Sequence, residues 1–206
     1  MLRLWGRANS INVQKVLWCA AELELEVERI DAGGAFGGLD TEDYRAMNPN
    51  AKVPCLNDDG FVLWESHAII RYLARRYGRD RLIPSDLQAE AVADQWIDWA
   101  INEGWADLRP VFIGLIRTPP EDRDLKAIEK HQRLLGRKLA MVDRWLAERP
   151  YMVGDTLSIG DIPVGCLVSR WYALDIPHRD LPNLYRWHRR LTQRPGFQRF
   201  VMLPLS

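Results

Sequence analysis

The stretch Val53-Pro54-Cys55-Leu56-Asn57-Asp58-Asp59-Gly60-Phe61-Val62-Leu63-Trp64-Glu65-Ser66 decides the fold. Apolar runs at 53–56 and 61–64 flank Asn57-Asp58-Asp59-Gly60, whose turn chemistry closes an antiparallel hairpin. Ser66 then caps a helix that runs to Tyr77 and is stopped by Gly78. Upstream, Leu2 to Trp5 alternates like a strand, and from Ser10 onward Val13, Val16, Leu17 and Ala20 fall on one helix face. Val27-Glu28-Arg29-Ile30 is a second strand. A strand, helix, strand order with short joints predicts a parallel pair with a right-handed crossover. A glycine-rich loop at 33–38 and a short helical piece near Thr41 to Met47 lead from that unit to the hairpin.

Beyond Tyr77 the texture changes. Residues 78–84 read as a linker, and after Ser85 the chain becomes long helical segments with Trp and Leu at helical spacing. Ser85 and Asp86 start the first of these, which runs through Trp96, Ile97 and Ala100. Thr118-Pro119-Pro120-Glu121 starts another, in which Leu135, Leu139, Val142 and Leu146 form one stripe. Ser158-Ile159-Gly160-Asp161 has the form of a capping box and opens the most apolar helix of this half, at 162–171, so Asp161 is given a folding role in preference to catalysis. The expected fold is α/β plus all-α: a thioredoxin-like domain at 1–80, then a helical-bundle domain at 86–206.

With 206 residues, 47% of them hydrophobic, and 9 tryptophans, the chain has ample material for a core. Lys plus Arg and Asp plus Glu both count 28, so no bulk field recruits nucleic acid or an anionic membrane. Arg71, Arg75, Arg76, Arg79 and Arg81 cluster at a helix end, complement its dipole and read as a solvated face. The amino terminus lacks an apolar run ahead of a small-residue cleavage site, and no stretch reaches the length of a membrane span, which predicts a soluble, cytoplasmic chain. Cys19, Cys55 and Cys166 form no C-x-x-C, and His67, His131, His178 and His188 are scattered without ligand spacing. No metal or other cofactor is assigned.

Asn9-Ser10-Ile11-Asn12-Val13, Asn48-Pro49-Asn50-Ala51-Lys52-Val53-Pro54, Trp64-Glu65-Ser66 and Ser158-Ile159-Gly160-Asp161 stand in an order and spacing that, together, resemble a bacterial cytosolic glutathione S-transferase of the serine type over the whole chain. Such a site must hold a tripeptide with two carboxylates and one ammonium, and keep its thiol ionised. From spacing alone, Ser10 fits an N-cap and a sulfur-facing hydroxyl equally. The resemblance favours the second, and a hydroxyl can do both. Asn12, two residues on, can donate through its amide to the same sulfur or to the glutathione backbone. The neighbouring Asn9 leaves open which polar group faces the sulfur.

By the same resemblance Val53-Pro54 takes the place of a cis-proline, whose preceding residue offers N–H and C=O to an extended cysteinyl peptide. An ordinary trans proline at a strand start is the alternative. Lys52 either neutralises the glycyl carboxylate or is simply solvated. At Glu65-Ser66 a strand end meets a helix start, where Ser66 can hold the γ-glutamyl carboxylate and Glu65 the ammonium; a capping serine preceded by a surface glutamate is the alternative.

The second substrate is expected between the two halves, against the mostly apolar segment 105–117 with Trp105 and Phe112. Arg109 and Arg117 interrupt it, about 80° apart around a helix and roughly 12 Å along it. They either converge on a cleft that accepts a small acid or anionic leaving group, or snorkel with solvated heads. The implied function is conjugation of glutathione to a small electrophile. Glutathione-dependent disulfide reduction, dehalogenation or isomerisation, and a non-catalytic binding module, are the competing readings. The family is commonly homodimeric, and Trp64 or Phe61 are candidates for that contact.

Overall fold

The computed structural model describes residues 1–78 and 81–206. Arg79 and Asp80, which fall in the expected linker and, for Arg79, in the basic cluster, lie outside the described residues. The chain begins with β1 (Leu2–Trp5), α1 (Ile11–Glu22), β2 (Val27–Ile30) and α2 (Glu42–Met47). It continues with β3 (Cys55–Asp58), β4 (Phe61–Trp64) and α3 (Ser66–Tyr77). The sheet order is β2-β1-β3-β4, with β1 and β2 parallel and the other neighbours antiparallel, which is the expected thioredoxin-like arrangement.

The strand positions follow from period-two alternation. Leu2, Leu4 and Leu56 face the large core with α1 and α3, while Cys55, with Trp5 and Val62, packs on the other face beside Tyr44 of α2. The hairpin reversal is tighter than its sequence suggests. β3 extends through Asn57 and Asp58, leaving Asp59 (φ 48°) and Gly60 (φ 97°) as the turn, and Gly60 N–H donates to Asn57 Oδ1 at 2.8 Å.

The helical half runs through α4 (Leu87–Trp99), α5 (Trp105–Phe112), α6 (Leu125–Trp145), α7 (Asp161–Ala173), α8 (Pro182–Leu191) and α9 (Pro195–Phe200). From Leu87 to Arg117 the helical path is continuous, with wider π-type turns at Ala100–Gly104 and Ile113–Arg117 on either side of α5. Asp86 caps α4 by accepting from Ala89 N–H, as expected. The start expected at Thr118-Pro119-Pro120-Glu121 is corrected: Pro120–Asp122 makes one short 3-10 turn, and α6 begins at Leu125, capped by Asp124 accepting from Ala127 N–H.

The basic cluster is corrected in part: Arg71 and Arg75 pair with Asp94, Asp98 and Glu90 of α4 and tie α3 to α4, while Arg75, Arg76 and Arg81 are exposed, as expected of a solvated face.

α1 joins the two halves. It packs against α3 on one side and α7 and α9 on the other. Trp18 is fully buried and meets Phe197 edge-on at a centroid distance of 4.7 Å, while a Cβ on Gly165 of α7 would stand 2.8 Å from the Trp18 ring. Glu22 at the end of α1 binds Arg194 through both carboxylate oxygens.

Asp161 has the folding role its sequence context predicts. Its carboxylate is fully buried and accepts from Met152 N–H, Ser158 N–H, Ser158 Oγ and Trp187 Nε1, all at 2.8–2.9 Å. Replacing Asp161 with Ala leaves these donors buried without an acceptor, and denaturant unfolding should register a loss of about 3–5 kcal/mol. A loss under about 1 kcal/mol would contradict this account of how α7 is held.

Candidate active site

β1 ends at Trp5, and the chain turns through Gly6 and Arg7 into the N-terminus of α1. Ser10 occupies the N-cap position with extended backbone (φ −77°, ψ 122°), yet its hydroxyl makes no cap bond, and the first turn of α1 contains no acidic residue. The side chain is therefore uncommitted at the positive end of a helix. The position is that of a cap, while the hydroxyl makes no cap bond.

A cavity of about 270 Å³ opens at this point. It is lined by Ser10, Asn12, Lys52 and Val53 from the sheet-bearing half and by Trp105, Arg109, Phe112 and Arg117 from the helical half. These expected site residues are thus brought together. Pro54, Glu65 and Ser66 do not line it. Ser66 is joined to it through Asn12, whose Oδ1 lies 3.3 Å from Ser66 Oγ. Asn9 is not among the lining residues, and its Nδ2 donates to Ser206 Oγ.

The Val53-Pro54 bond is cis. Neither N–H nor C=O of Val53 pairs with another backbone group among the described residues, while the adjacent Lys52 carbonyl is held by Tyr44 OH at 2.7 Å and Asn48 Nδ2 at 2.8 Å. Lys52 and Glu65 are exposed.

One expectation is corrected here. Ser66 is the first residue of α3, and Glu65 takes the N-cap position without a side-chain cap bond. Glu65 sits at φ 69°, a left-handed conformation that costs a residue with a Cβ and marks functional sites more often than ordinary turns.

The cavity holds more positive charge than the sequence reading found. Arg7 and Arg170 join Lys52, Arg109 and Arg117 in its lining, and no acidic residue lines it among the described residues. Phe112 organises part of this charge, with the Arg170 guanidinium 4.6 Å and that of Arg117 5.1 Å from its ring centroid. Burial lowers the pKa of Arg170 to about 10, with Arg117 and Arg7 adding to the effect against an opposing contribution from Cys166, so it remains a cation at neutral pH. Burial also lowers Arg117, and Arg7 adds to it. Arg170 Nη2 donates to Asn9 C=O at 2.7 Å, and its buried Nε has no partner among the described residues.

Both missed arginines carried a sequence signal. Arg7 follows the carboxyl end of a strand, where α/β folds place their ligands. Arg170 is the one basic residue inside the apolar helix expected at 162–171. The glycine-rich loop has its reason in the same place, since a Cβ on Gly34 (φ 61°) would stand 3.0 Å from Arg7 Cδ.

Two family models match the chain: glutathione S-transferase, N-terminal domain, over residues 1–75, and glutathione S-transferase, C-terminal domain, over residues 106–195. Glutathione S-transferase GstB of Escherichia coli strain K12 is 42% identical, with 100% of both chains covered. A probable glutathione S-transferase GSTF2 of Oryza sativa subsp. japonica is 28% identical over 98% of this chain and 96% of its own. Among solved structures, the theta class glutathione S-transferase from Xanthomonas axonopodis pv. citri with glutathione bound superposes with a TM-score of 0.96 at 43% identity, covering 100% of this chain and 99% of that one. The chain belongs to the glutathione S-transferase family.

None of the three cysteines lines the cavity, and all are buried. Burial pushes the Cys19 thiol far up, Cys166 to about 12 and Cys55 to about 11. A chromogenic disulfide reagent at pH 8 should therefore titrate none of them in the native protein within minutes and all three after denaturation. Rapid native reaction of one thiol would reopen a thiol-exchange role.

Proposed function

We propose that this protein conjugates reduced glutathione to small electrophiles, and that Ser10 stabilises the attacking thiolate. The uncommitted Ser10 hydroxyl at the N-terminus of α1, beside a cation-lined cavity, carries the reading. An anion at that point meets the helix dipole, free N–H groups and the hydroxyl together, which favours thiolate over thiol. Asn12 adds its amide. The glutathione bound in the Xanthomonas relative supports the same co-substrate here.

In this reading Val53 pairs with the cysteinyl backbone through its N–H and C=O beside Pro54, and Lys52 neutralises the glycyl carboxylate. Ser66 and the N-terminus of α3 hold the γ-glutamyl carboxylate, and Glu65 holds its ammonium. Residues 1–80 then form the glutathione-binding domain and residues 86–206 the domain lining the electrophile pocket. No further cofactor is needed, because the thiolate itself attacks carbon as a halide leaves or a reactive bond opens.

The electrophile of this reading is small and anionic. Arg7, Arg109, Arg117 and Arg170 face a cavity that offers no acidic partner, with Trp105 and Phe112 supplying apolar surface. A carboxylate on the electrophile satisfies those guanidinium groups. Disulfide reduction is disfavoured by the buried cysteines, and the joint presence of Ser10, Val53-Pro54 and Glu65-Ser66 weighs against a purely non-catalytic module.

The working form proposed is a cytoplasmic homodimer that acts in detoxification, without a nucleic-acid or membrane partner. Exposed Phe61 and Trp64 on the edge strand β4 are candidates for the subunit contact. No helix among the described residues is long and apolar enough to cross a membrane.

Ser10→Ala should raise the pKa of enzyme-bound glutathione, read from thiolate absorbance, with affinity nearly kept. An unmoved pKa, with Asn12→Ala moving it instead, would transfer the role to the amide. Glu65→Ala should weaken glutathione binding by about 1.5–3 kcal/mol in calorimetry without a matching loss of fold, and unchanged affinity would remove Glu65 from the site. Arg109→Met or Arg117→Met should cut turnover of a haloacetate while sparing a neutral aryl halide. Equal losses on both would mean that the arginines act through structure alone.

A further inference from the structure

Lys15 lies on the buried face of α1 between Val13 and Val16, and only 5% of its surface is exposed. A buried ammonium needs its donors taken up, and a carboxylate is the usual partner. Lys15 has no carboxylate partner within ion-pair distance among the described residues; its recorded contacts are with two neutral groups. Nζ donates to Asn12 Oδ1 at 3.0 Å and lies 3.0 Å from His67 Nε2 on α3. An ammonium has no lone pair, so Nε2 is the acceptor and the His67 proton sits on Nδ1.

Burial, aided by the charges of Lys15 and Arg71, lowers the His67 pKa to about 2, so the ring stays a neutral acceptor. Lys15 is lowered to about 8 by burial; Cys166 and Glu65 oppose the shift, and Arg170 adds to it.

This contact fixes which way Asn12 faces. The two ends of a side-chain amide have nearly the same shape and opposite hydrogen-bonding character. Oδ1 takes Lys15 and stands 3.3 Å from the Ser66 hydroxyl. Asn12 lines the cavity that it shares with Ser10, and its Nδ2, the other end of that amide, has no hydrogen bond among the described residues. Ser66 cannot enforce that choice, because a hydroxyl donates or accepts equally well. In the proposed complex its proton is also taken by the γ-glutamyl carboxylate. Lys15 can only donate, so a flipped Asn12 would set donor against donor.

We propose that Lys15, backed by His67, is a positioning residue that locks Asn12 with its amide N–H groups facing the glutathione sulfur beside Ser10. The proposal rests on the transferase reading for its consequence at the sulfur, while the lock itself is a property of the ligand-free protein. Without Lys15, Asn12 is free to present its oxygen to the thiolate, which replaces attraction with repulsion.

Lys15→Met keeps the apolar stem, removes the donors and relieves a buried charge, so the fold should be at least as stable. His67→Gln offers the ammonium another neutral acceptor. Two readouts decide the matter: the ¹H–¹⁵N resonances of the Asn12 side-chain amide in the ligand-free protein, assigned with Asn12→Ala, and the pKa of bound glutathione from thiolate absorbance. In Lys15→Met the amide resonances should shift and average, and the thiolate pKa should rise by about one unit, a tenfold drop in the ionisation constant of the bound thiol. His67→Gln should stay close to wild type in both.

An Asn12 amide or a thiolate pKa unmoved by Lys15→Met overturns the proposal, because a residue that only packed would give that result. If wild type binds no glutathione, the transferase reading falls, and the amide resonances alone then decide the lock.

Discussion

Everything at the site depends on where α1 is held. Trp18 sits against Phe197, with Gly165 leaving no room for a Cβ, and Glu22 closes the far end of the helix on Arg194. These contacts anchor the C-terminal part of α1 deep in the helical half, so its N-terminus emerges where the two halves meet. Ser10 and Asn12 come from that end, and Lys15 lies one turn further in. A rigid helix gripped at one end aims the other, which is how a packing contact more than a turn away becomes a catalytic constraint.

The second organising feature is charge without countercharge. Arg71, Arg75 and Arg194 are paired with carboxylates. Around the cavity the pattern is reversed. Among the described residues Arg170 is nearly buried, makes hydrogen bonds only to neutral oxygens and leaves Nε unpartnered, while burial, with Arg117 and Arg7 adding to it, lowers its pKa. Concentrated positive potential in a low-dielectric recess opposes folding and favours an anionic ligand. The sulfur of glutathione and the acid group of the proposed electrophile are two such anions, and a cavity of this charge attracts both.

The sheet order and most helices were legible in the sequence because each rests on local chemistry. Asp59 and Gly60 can adopt the backbone the hairpin needs, and Asp86 reaches the N–H three residues on. The start of α6 was misplaced because Pro119-Pro120 is as compatible with a 3-10 turn as with a helix start, and Asp124 supplied a better cap four residues later.

Ser10, Asn12, Val53 and Trp105 were legible as candidates, and line the cavity, because the reading of each attaches to a position on a single element. Arg7 and Arg170 lie far apart in sequence, and only the packing of α7 beside α1 brings them to one cavity. Lys15 and His67 escaped notice for a related reason. A lysine and a histidine on different helices carry no pattern until the helices are stacked.

The central claim is that the site binds glutathione as a thiolate. Calorimetric titration of the protein with reduced glutathione at pH 7, repeated in buffers of different ionisation enthalpy, counts protons released on binding. The account predicts release approaching about one proton per site, since a free thiol with a pKa near 8.5 is largely protonated at that pH and would be ionised once bound. Tight binding with no proton release would mean that the thiol enters the site intact, and the roles given to Ser10, Asn12 and Lys15 would be wrong.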